Sequence, residues 1–357
     1  MNKKKVLICV PAMDVGGAEK FAVDLALHLD KRKFDVRVAE TRRNSNSFLV
    51  NVLKENNIEI VDLSGKNYLV MLKKQLTYLK KEKIDVVHTQ IGSLLHMMLA
   101  CKLKGVKTRV YTLHNEANLF YGENIIMKFI FRSAFTCFNF KAVAISKTIK
   151  ESLINYLHID DIEVINNGVD TNVFRPVEKE DSSTIKIISV GSLYWIKNQE
   201  MMIKAVSKIY ENNKNIDLTL LGDGEDRDKL EKMVSELKAS SYIHILGRKQ
   251  NVADYLQASD IYISVSKTEG LPLSIAEAMA SGLPIVATKA GGVVDLVKDN
   301  ENGYLVNIDD LDRFTDRLNC LIENKGIREE FSKKSLDLVQ NWTIEKCVSS
   351  YEKLYLD

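Results

Sequence analysis

The fold is indicated most clearly by residues 259–303, SDIYISVSKTEGLPLSIAEAMASGLPIVATKAGGVVDLVKDNENG. The apolar run at 261–265 predicts a strand, the pattern over 274–280 predicts a short helix, and residues 283–288 predict a second strand. A loop that enters a helix at the carboxyl end of a parallel strand presents free backbone N–H groups. Such groups bind anions, so this segment predicts a site for a phosphate or diphosphate.

Two glutamates lie beside this predicted anion site. Glu269 is in the loop, and Glu277 follows it in the helix. A carboxylate accepts two hydrogen bonds at once, which suits adjacent hydroxyls of a ribose or a hexose. Amides for a diphosphate and carboxylates for sugar hydroxyls together indicate a nucleotide-sugar pocket. The alternative is that Glu269 is a solvated loop charge and that Glu277 interacts with the helix dipole.

A family resemblance is carried by residues 268–288, TEGLPLSIAEAMASGLPIVAT, followed by a Gly-Gly pair at 291–292 and by ENG at 301–303. This stretch resembles the donor-site signature of the retaining glycosyltransferases of family four (glycosyl transferases group 1), which have the GT-B fold. The resemblance implies that Glu277 binds the nucleotide ribose and that Glu269 contacts the transferred sugar.

Length and composition limit the class of protein. A chain of 357 residues exceeds what one hydrophobic core usually holds, so two domains are predicted, and the apolar content of 45% is typical of a soluble α/β protein. The five cysteines are scattered and form no C-x-x-C pair, which predicts reduced thiols in a cytoplasm and no structural zinc. No secretory signal and no long apolar stretch are recognisable, so neither a leader nor a transmembrane span is predicted.

The charge is distributed unevenly along the chain. Residues 1–170 carry a net charge of +8, and the remaining residues carry −6. A basic first half favours an anionic membrane surface or an anionic acceptor as a partner. The alternative is a set of scattered, solvated lysines. No nucleic-acid partner is predicted.

A glycine loop near the start of the chain separates a predicted strand from a predicted helix. Residues 5–10 show a buried-strand pattern, residues 14–17 form the loop, and apolar residues recur at helical spacing over 18–29. Gly16 and Gly17 let the backbone approach a ligand beside a helix N-terminus, although a tight turn is the alternative. The pattern is not G-x-G-x-x-G, so it does not support an NAD site. The resemblance implies that this loop contacts the donor diphosphate and the acceptor.

Strands and helices alternate through the first half of the chain. Strands are predicted at 59–63, 85–89, 109–113 and 142–145, with helices such as 69–83 and 94–104 between them. This alternation predicts a parallel, doubly wound sheet with functional loops at the carboxyl ends of its strands. The resemblance implies that His114, at such an end, is the active-site histidine beside the transferred sugar. His88 is interpreted as structural.

Two interpretations are open for residues 123–142, which are strongly apolar, aromatic and sparsely basic. One is an amphipathic helix that docks on a membrane, with Lys128, Arg132 and Lys141 near lipid headgroups. The other is a core helix that leads into the strand at Val143. The missing polar face favours the core helix, with partial exposure toward a second domain or a membrane.

The second half of the chain repeats the pattern of strand, loop and helix. Residues 164–176 match the interdomain crossing of the family, and a strand is predicted at 185–190, before the loop that carries Lys197. Lys197 is predicted to neutralise a leaving diphosphate; a solvated surface lysine is the alternative. The family often has an arginine where this chain has Ser192. Lys197 therefore receives less assistance in neutralising the diphosphate, and Arg248 is the candidate to provide it.

The predicted fold class is α/β with the GT-B architecture. Two Rossmann-like, doubly wound parallel-sheet domains face a cleft, and the last helix crosses back to the first domain. Residues 1–176 form the acceptor-side domain, residues 177–340 form the nucleotide-sugar-binding domain, and residues 341–357 form the returning helix. Closure of the two lobes on the donor is expected to exclude water.

The resemblance implies a retaining hexosyl- or N-acetylhexosaminyltransferase that moves a sugar from a nucleotide diphosphate sugar to an acceptor hydroxyl. The expected acceptor is a lipid-linked glycan or a cell-surface polysaccharide precursor, and the expected location is the cytoplasm or the inner face of the membrane. No cofactor and no metal are expected, because amides and a lysine hold the anion and no Asp-x-Asp lies at a strand end. A GT-B nucleotide-sugar epimerase and a catalytically silent nucleotide-sugar-binding protein are the alternatives.

The predicted catalytic residues are His114, Lys197 and Glu269. Donor contacts are predicted for the glycine loops, their neighbouring cations and the signature: Gly16, Gly17, Gly191, Ser192, Lys197, Arg248, Lys249, Glu269, Gly270, Leu271, Pro272, Leu273, Ser274 and Glu277. The resemblance implies that the nucleobase contacts the backbone around residues 249–251. No metal ligand is predicted.

Overall fold

The structure of this chain is a computed structural model that describes residues 3–14, 16–43, 47–115, 124–179 and 182–357. The chain forms two compact units, Met1–Asn167 with Ile344–Asp357 (unit 1) and Gly168–Thr343 (unit 2). The segment 168–176 lies in unit 2, whereas the sequence prediction placed it in the first domain. The Val169 N–H donates to the Trp342 carbonyl at 2.8 Å, which ties the start of this segment to unit 2. Residues 180–181 of the predicted linker lie outside the described residues.

Unit 1 contains a parallel sheet that has seven strands in the described residues. They are β1 Lys4–Val10, β2 Phe34–Glu40, β3 Glu59–Asp62, β4 Val86–Gln90, β5 Thr108–Leu113, β6 Lys141–Ala144 and β7 Ile162–Val164. Their order is β3-β2-β1-β4-β5-β6-β7, so the direction of winding reverses between β1 and β4. Doubly wound sheets bind ligands outside the carboxyl ends of their strands at such a point.

Helices follow the strands of unit 1. They are α1 Gly17–His28, α2 Phe48–Glu55, α3 Tyr68–Glu82, α4 Ser93–Lys104, α5 Ile125–Thr136 and α6 Lys147–Leu157. Right-handed crossovers place α1 and α2 on one face of the sheet and the helices that follow β3 to β6 on the other. In α1 the residues Phe21, Leu25 and Ala22 recur at helical spacing and are buried, which anchors the helix on the sheet.

Unit 2 contains a second parallel sheet, which has six strands in the described residues. They are β8 Ile185–Val190, β9 Ile216–Leu221, β10 Ile243–Ile245, β11 Ile261–Ser264, β12 Ile285–Thr288 and β13 Gly303–Val306, and their order is β10-β9-β8-β11-β12-β13. The helices are α7 Gln199–Asn212, α8 Arg227–Glu236, α9 Val252–Gln257, α10 Leu273–Ala280, α11 Val293–Leu296, α12 Leu311–Glu323 and α13 Lys325–Val339. A 3₁₀ turn spans Trp195–Lys197. Here the winding reverses between β8 and β11.

The last helix, α14 Ile344–Leu356, belongs to unit 1. It packs against α1 and buries Tyr351 and Tyr355 completely. Lys4 Nζ donates to the carbonyls of Tyr355 and Leu356 at 2.8 and 3.0 Å, which holds the end of the helix on β1. The predictions of two Rossmann-like parallel-sheet units and of a last helix that returns to the first are confirmed.

Several short elements were not predicted from the sequence. They are α2, α6, α11, β7 and β13. The strands β7 and β13 are three and four residues long. Their places in the sheets are set by neighbouring strands, since β7 pairs with β6 and β13 pairs with β12.

The apolar stretch 123–142 contains α5 and the start of β6, with residue 123 outside the described residues. The helix α5 shows the partial exposure that was expected with the core interpretation: Ile125, Ile126 and Phe129 are 66%, 66% and 68% exposed, whereas Phe131 and Ala134 are buried. A helix in the outer layer of a sheet buries only one stripe, and α5 has apolar residues beyond that stripe. Among the described residues, no helix is long and apolar enough to cross a membrane.

Candidate donor-binding site

The loops that follow β8 and β11 lie together at the point where the winding of the unit 2 sheet reverses. The Lys267 N–H donates to the Ile196 carbonyl at 2.8 Å, which joins the backbones of the two loops. The Thr288 hydroxyl at the end of β12 donates to the Ser266 carbonyl at 2.6 Å. Side chains from both loops are therefore held at one edge of the sheet.

Lys197 and Glu269 form an ion pair across these loops, although 72 positions separate them in the chain. Lys197 Nζ lies 2.5 Å from Glu269 Oε1, and the Ser266 hydroxyl donates to the same oxygen at 2.6 Å. The side chains of Lys197 and Glu269 are 27% and 11% exposed, so both can still be reached by a ligand. Unit 2 thus brings together two of the three predicted catalytic residues.

The signature loop leads directly into α10, which begins at Leu273, one residue earlier than predicted. Pro272 occupies the N-cap position, and no side chain caps the helix. The amides of Leu273 and Ser274 have no acceptor within the helix, so they form a positive end beside the loop of Glu269. Gly270 and Leu271 precede this turn and are buried.

A glycine pair after β12 packs against the same loop. Gly291 has a φ of +49°, and a Cβ there would lie 2.0 Å from the Glu269 carbonyl oxygen. A Cβ at Gly292 would lie 1.9 Å from the Gly270 carbonyl oxygen, and the Gly292 N–H donates to the Glu269 carbonyl at 3.2 Å. Only glycine permits this approach, so the pair fixes the backbone that carries Glu269.

Glu277 lies on α10, is 5% exposed and is close to the buried Tyr262 of β11. The Tyr262 hydroxyl donates to the Val190 carbonyl at 3.2 Å and is hydrogen-bonded to Ser274. Burial raises the pKa of Tyr262, and the charges of Glu269 and Glu277 raise it further. Tyr262 therefore lies near both predicted sugar-binding carboxylates. Sequence reasoning missed it, and the only signal was a tyrosine between the two isoleucines of a buried strand.

Asp309, which is not one of the predicted site residues, contacts side chains of both loops. Its Oδ1 accepts from Asn198 Nδ2 at 3.0 Å, and its Oδ2 lies 3.3 Å from Lys267 Nζ. These bonds hold the residue after Lys197 and the residue after Ser266. Sequence reasoning missed Asp309 because it follows β13, a strand that was not predicted.

Four other predicted donor residues lie on loops of the unit 2 sheet. Gly191 and Ser192 follow β8 and precede the turn that carries Lys197. Arg248 and Lys249 are exposed after β10, and neither forms a hydrogen bond or ion pair within the part of the chain that the structure describes. Strand β9 lies between β10 and β8, and assistance of Lys197 by Arg248 stays a prediction.

His114 lies at the carboxyl edge of the unit 1 sheet, directly after β5. Its Nε2 is 3.1 Å from Gln90 Oε1, and its ring meets Phe21 edge-on with centroids 5.3 Å apart. Burial lowers the pKa of His114 from 6.5 to about 3, so the imidazole is neutral at physiological pH. Gln90 is fully buried, and its Nε2 has no hydrogen-bond partner among the described residues. Sequence reasoning missed Gln90, whose only signal was a polar residue at the end of a buried strand.

Gly16 and Gly17 lie at the start of α1, and residue 15 of the predicted loop is outside the described residues. Among the described residues, a Cβ at Gly17 would meet no atom within 4 Å. His88 is fully buried; its Nδ1 lies 2.6 Å from the Tyr355 hydroxyl, and its Nε2 lies 2.8 Å from the Thr112 hydroxyl. The structural interpretation of His88 is confirmed.

Positive charge at the unit 2 site comes from Lys197 and from the start of α10. Within the described ranges, no group of three or more histidine, cysteine, aspartate or glutamate side chains is arranged to hold a metal ion.

Two family models match the chain one after the other. Glycosyltransferase Family 4 matches residues 15–173, and Glycosyl transferases group 1 matches residues 170–337. The chain belongs to this glycosyltransferase family. The second match contains Lys197, Glu269 and Glu277, and the first contains His114, so the residues that carried the resemblance lie within the matched regions of this glycosyltransferase.

A relative of this glycosyltransferase is the UDP-Gal:alpha-D-GlcNAc-diphosphoundecaprenol alpha-1,3-galactosyltransferase of Escherichia coli, which is 29% identical over 298 residues. The alignment covers 78% of this chain and 77% of the relative. Two solved structures share the fold. A glycosyltransferase from Rickettsia africae ESF-5 has a TM-score of 0.86 at 20% identity and covers 99% of this chain and 98% of its own. Anabaena Alr3699/HepE in complex with UDP-glucose has a TM-score of 0.83 at 19% identity and covers 98% of each chain. The predicted GT-B fold is confirmed.

Proposed function

We propose that this glycosyltransferase is a retaining hexosyl- or N-acetylhexosaminyltransferase that uses a nucleotide diphosphate sugar as donor. The observation that carries the proposal is the Lys197–Glu269 ion pair beside the uncapped start of α10. One cation, free helix amides and carboxylates then lie at one edge of a sheet. These are the groups that a diphosphate and a sugar require.

Donor binding changes the partner of Lys197 in this proposal. The diphosphate replaces Glu269 as the ion-pair partner of Lys197. The Glu269 carboxylate then accepts hydrogen bonds from hydroxyls of the transferred sugar. Lys197 keeps an anionic partner in this exchange, because one negatively charged group replaces another. Glu277 accepts from the ribose hydroxyls, and the amides that begin α10 bind phosphate oxygens.

The transfer step then depends on electrostatic stabilisation of the leaving group. Cleavage of the anomeric C–O bond develops negative charge on the diphosphate, which Lys197 and the α10 amides stabilise. No carboxylate is assigned as a nucleophile, so the acceptor oxygen attacks from the face that the diphosphate leaves, and a phosphate oxygen takes the acceptor proton. His114 is neutral, so it contributes a hydrogen bond rather than a charge. The scheme assigns no step to a metal ion or a cofactor.

We propose a lipid-linked glycan or a cell-surface polysaccharide precursor as the acceptor. The support is the name of the Escherichia coli relative, whose acceptor is a sugar diphosphoundecaprenol. An acceptor of that kind is anchored in a bilayer, so the enzyme works in the cytoplasm at the inner face of the membrane. The net charge of +8 in residues 1–170 supports this location.

The donor is tested by measuring melting temperatures with a panel of nucleotides and nucleotide sugars. A ligand at about 100 times its dissociation constant stabilises the folded state by about 2.7 kcal/mol, which raises the melting temperature by several degrees. We expect one nucleotide sugar to produce this shift in the wild type. The shift should be lost in Glu277→Ala and reduced in Lys197→Met.

Glu329→Ala is the matched control, since Glu329 is an exposed glutamate on α13 of the same unit. This variant should keep the wild-type shift. Equal stabilisation of Glu277→Ala and wild type would contradict the assigned pocket. An isomerised sugar nucleotide formed without acceptor would identify an epimerase, and binding without turnover on lipid-linked acceptors would identify a silent protein.

A further inference from the structure

Three adjacent helices form the outer surface of one face of unit 1. The helix α4 packs between α3 and α5, and Lys102 Nζ donates to the Cys137 carbonyl at the end of α5. Sixteen large hydrophobic side chains are exposed in the described residues, and seven of them lie on these three helices: Tyr68, Leu69, Val70, Leu103, Ile125, Ile126 and Phe129. Exposed apolar residues are therefore concentrated on this surface, which we call the α3–α5 face.

The same face is strongly basic. The three helices contain eight lysines and arginines and one acidic residue, Glu82. Arg37 Nη1 donates to Glu82 Oε2 at 2.7 Å, so this carboxylate is neutralised within unit 1. The chain as a whole has nearly equal numbers of basic and acidic residues, 50 and 48. The positive charge of the α3–α5 face is therefore a local property.

A groove of about 730 Å³ lies along α3 and reaches the end of α4. Its lining includes the apolar side chains Leu69, Leu72 and Leu76 and the cations Lys73, Lys80 and Lys104, and it contains no acidic side chain. Leucines beside lysines are the composition of a surface that inserts apolar side chains at a lipid headgroup boundary while its cations contact anionic headgroups.

We propose that the α3–α5 face docks on an anionic lipid bilayer. A second copy of this chain is a poor occupant, because two such faces would place like charges opposite each other without an acidic partner. A bilayer with anionic headgroups supplies the complementary charge over the whole surface. This proposal deepens the inner-membrane location proposed above, but it does not depend on the identity of the donor.

The direction of the helices relates this surface to His114. In a parallel sheet each connecting helix begins near the carboxyl edge, so the starts of α3 and α5 lie toward the edge where His114 follows β5. The exposed residues Leu69 and Ile126 lie in the first turns of these helices. A bilayer on the α3–α5 face is therefore adjacent to the edge that carries His114, which suits an acceptor anchored in that bilayer.

Sedimentation of the full-length protein with vesicles tests the proposal. One set of vesicles contains phosphatidylcholine alone, and the other contains phosphatidylcholine and phosphatidylglycerol in equal amounts. We expect binding to the second set only, weakened by high salt. Each lysine near an anionic surface contributes about fivefold in affinity, so Lys73→Gln/Lys80→Gln should weaken binding about 25-fold. Leu69→Ser/Phe129→Ser should also weaken binding, because it removes two exposed apolar side chains.

The control variants are Lys325→Gln/Lys333→Gln and Leu237→Ser, which change exposed lysines and an exposed leucine of unit 2. They should sediment as the wild type does. Equal binding to both sets of vesicles, equal loss in the control variants, or no binding of the wild type would overturn the proposal. Nucleotide-sugar stabilisation of each variant is measured in parallel. An unchanged thermal shift in a variant that no longer binds vesicles separates docking from donor binding.

Discussion

Two histidines of unit 1, the fully buried His88 and the half-buried His114, make its stability depend on pH. Burial lowers the pKa of His88 from 6.5 to about 3, and the nearby His114 lowers it further. His114 itself has a pKa of about 3 for the same reason, burial. Between pH 6.5 and about pH 3, these two histidines are protonated in the unfolded chain and neutral in the folded chain. The stabilisation is therefore complete above pH 6.5 and is lost as the pH falls toward 3.

We predict that the free energy of unfolding decreases as the pH is lowered from about 7.5 to about 5, and that His88→Gln reduces this slope. One histidine that protonates only on unfolding contributes about 1.4 kcal/mol per pH unit near pH 5. Denaturant titrations at several pH values measure the slope. His28→Gln, at an exposed histidine of α1, should keep the wild-type slope. A wild-type slope in His88→Gln would show that His88 is already protonated in the folded state.

The helix α10 depends on the glycine pair for the position of its preceding loop. The signature residues supply the carboxylates and the helix start, but the backbone of Glu269 and Gly270 is held by Gly291 and Gly292. The contacts are between backbones, so a side chain at either glycine must displace the loop. The glycines therefore act on the site through the loop and not through the ligand.

We predict that Gly292→Ala lowers both stability and donor binding. The added Cβ would lie 1.9 Å from the Gly270 carbonyl oxygen. The backbone shift that removes such an overlap lowers the free energy of unfolding by about 1–3 kcal/mol. The displaced loop should weaken nucleotide-sugar binding about tenfold or more, as measured by calorimetry. Gly326→Ala is the matched control, since Gly326 lies in helix α13 and a Cβ there meets no atom of the described part of the chain within 4 Å. It should be neutral or slightly stabilising. Unchanged donor affinity in Gly292→Ala would rule out this role for the glycine pair.

The last helix, α14, completes the packing of unit 1. The helix α14 is the final element, yet its tyrosines complete a buried polar network in which the Tyr351 hydroxyl lies 2.8 Å from the Thr112 hydroxyl. Tyr351 also stacks on His88, and Phe21 contacts both Tyr351 and His114. The strand that leads to His114 is thus supported by the last residues of the chain.

We predict that deletion of residues 344–357 unfolds unit 1 and leaves unit 2 folded. The helix buries six side chains, and the burial of each contributes about 1.5–3 kcal/mol to stability. Their combined contribution is comparable to the whole free energy of unfolding of a typical domain. Hydrogen exchange followed by mass spectrometry should show lost protection in β1 and β4 and retained protection in β8 and β11. Tyr355→Phe, which loses only the bond to His88, should cost far less. Retained protection of β1 in the deletion variant would exclude this role of α14.

Local patterns were sufficient for most of the architecture. Apolar runs identified strands such as β1 and β8, helical spacing identified α1 and α3, and the signature around Glu269 and Glu277 identified the anion-binding helix start. These features depend on residues that are neighbours in the chain. The exposure of the first half of α5 was not predictable in the same way, because its apolar composition is compatible with either a core or a surface.

Contacts between distant segments required the folded chain. The pairing of Lys197 with Glu269 and the contacts of Asp309 with both loops depend on which strands are adjacent. No local pattern indicates that β11 lies beside β8. The places of Tyr262 and Gln90 likewise depend on the order of parallel strands. The residue types and the short-range patterns of this chain therefore specify its elements and its donor signature. The partners of its functional side chains are specified by packing, because parallel strands bring together residues that lie far apart in the sequence.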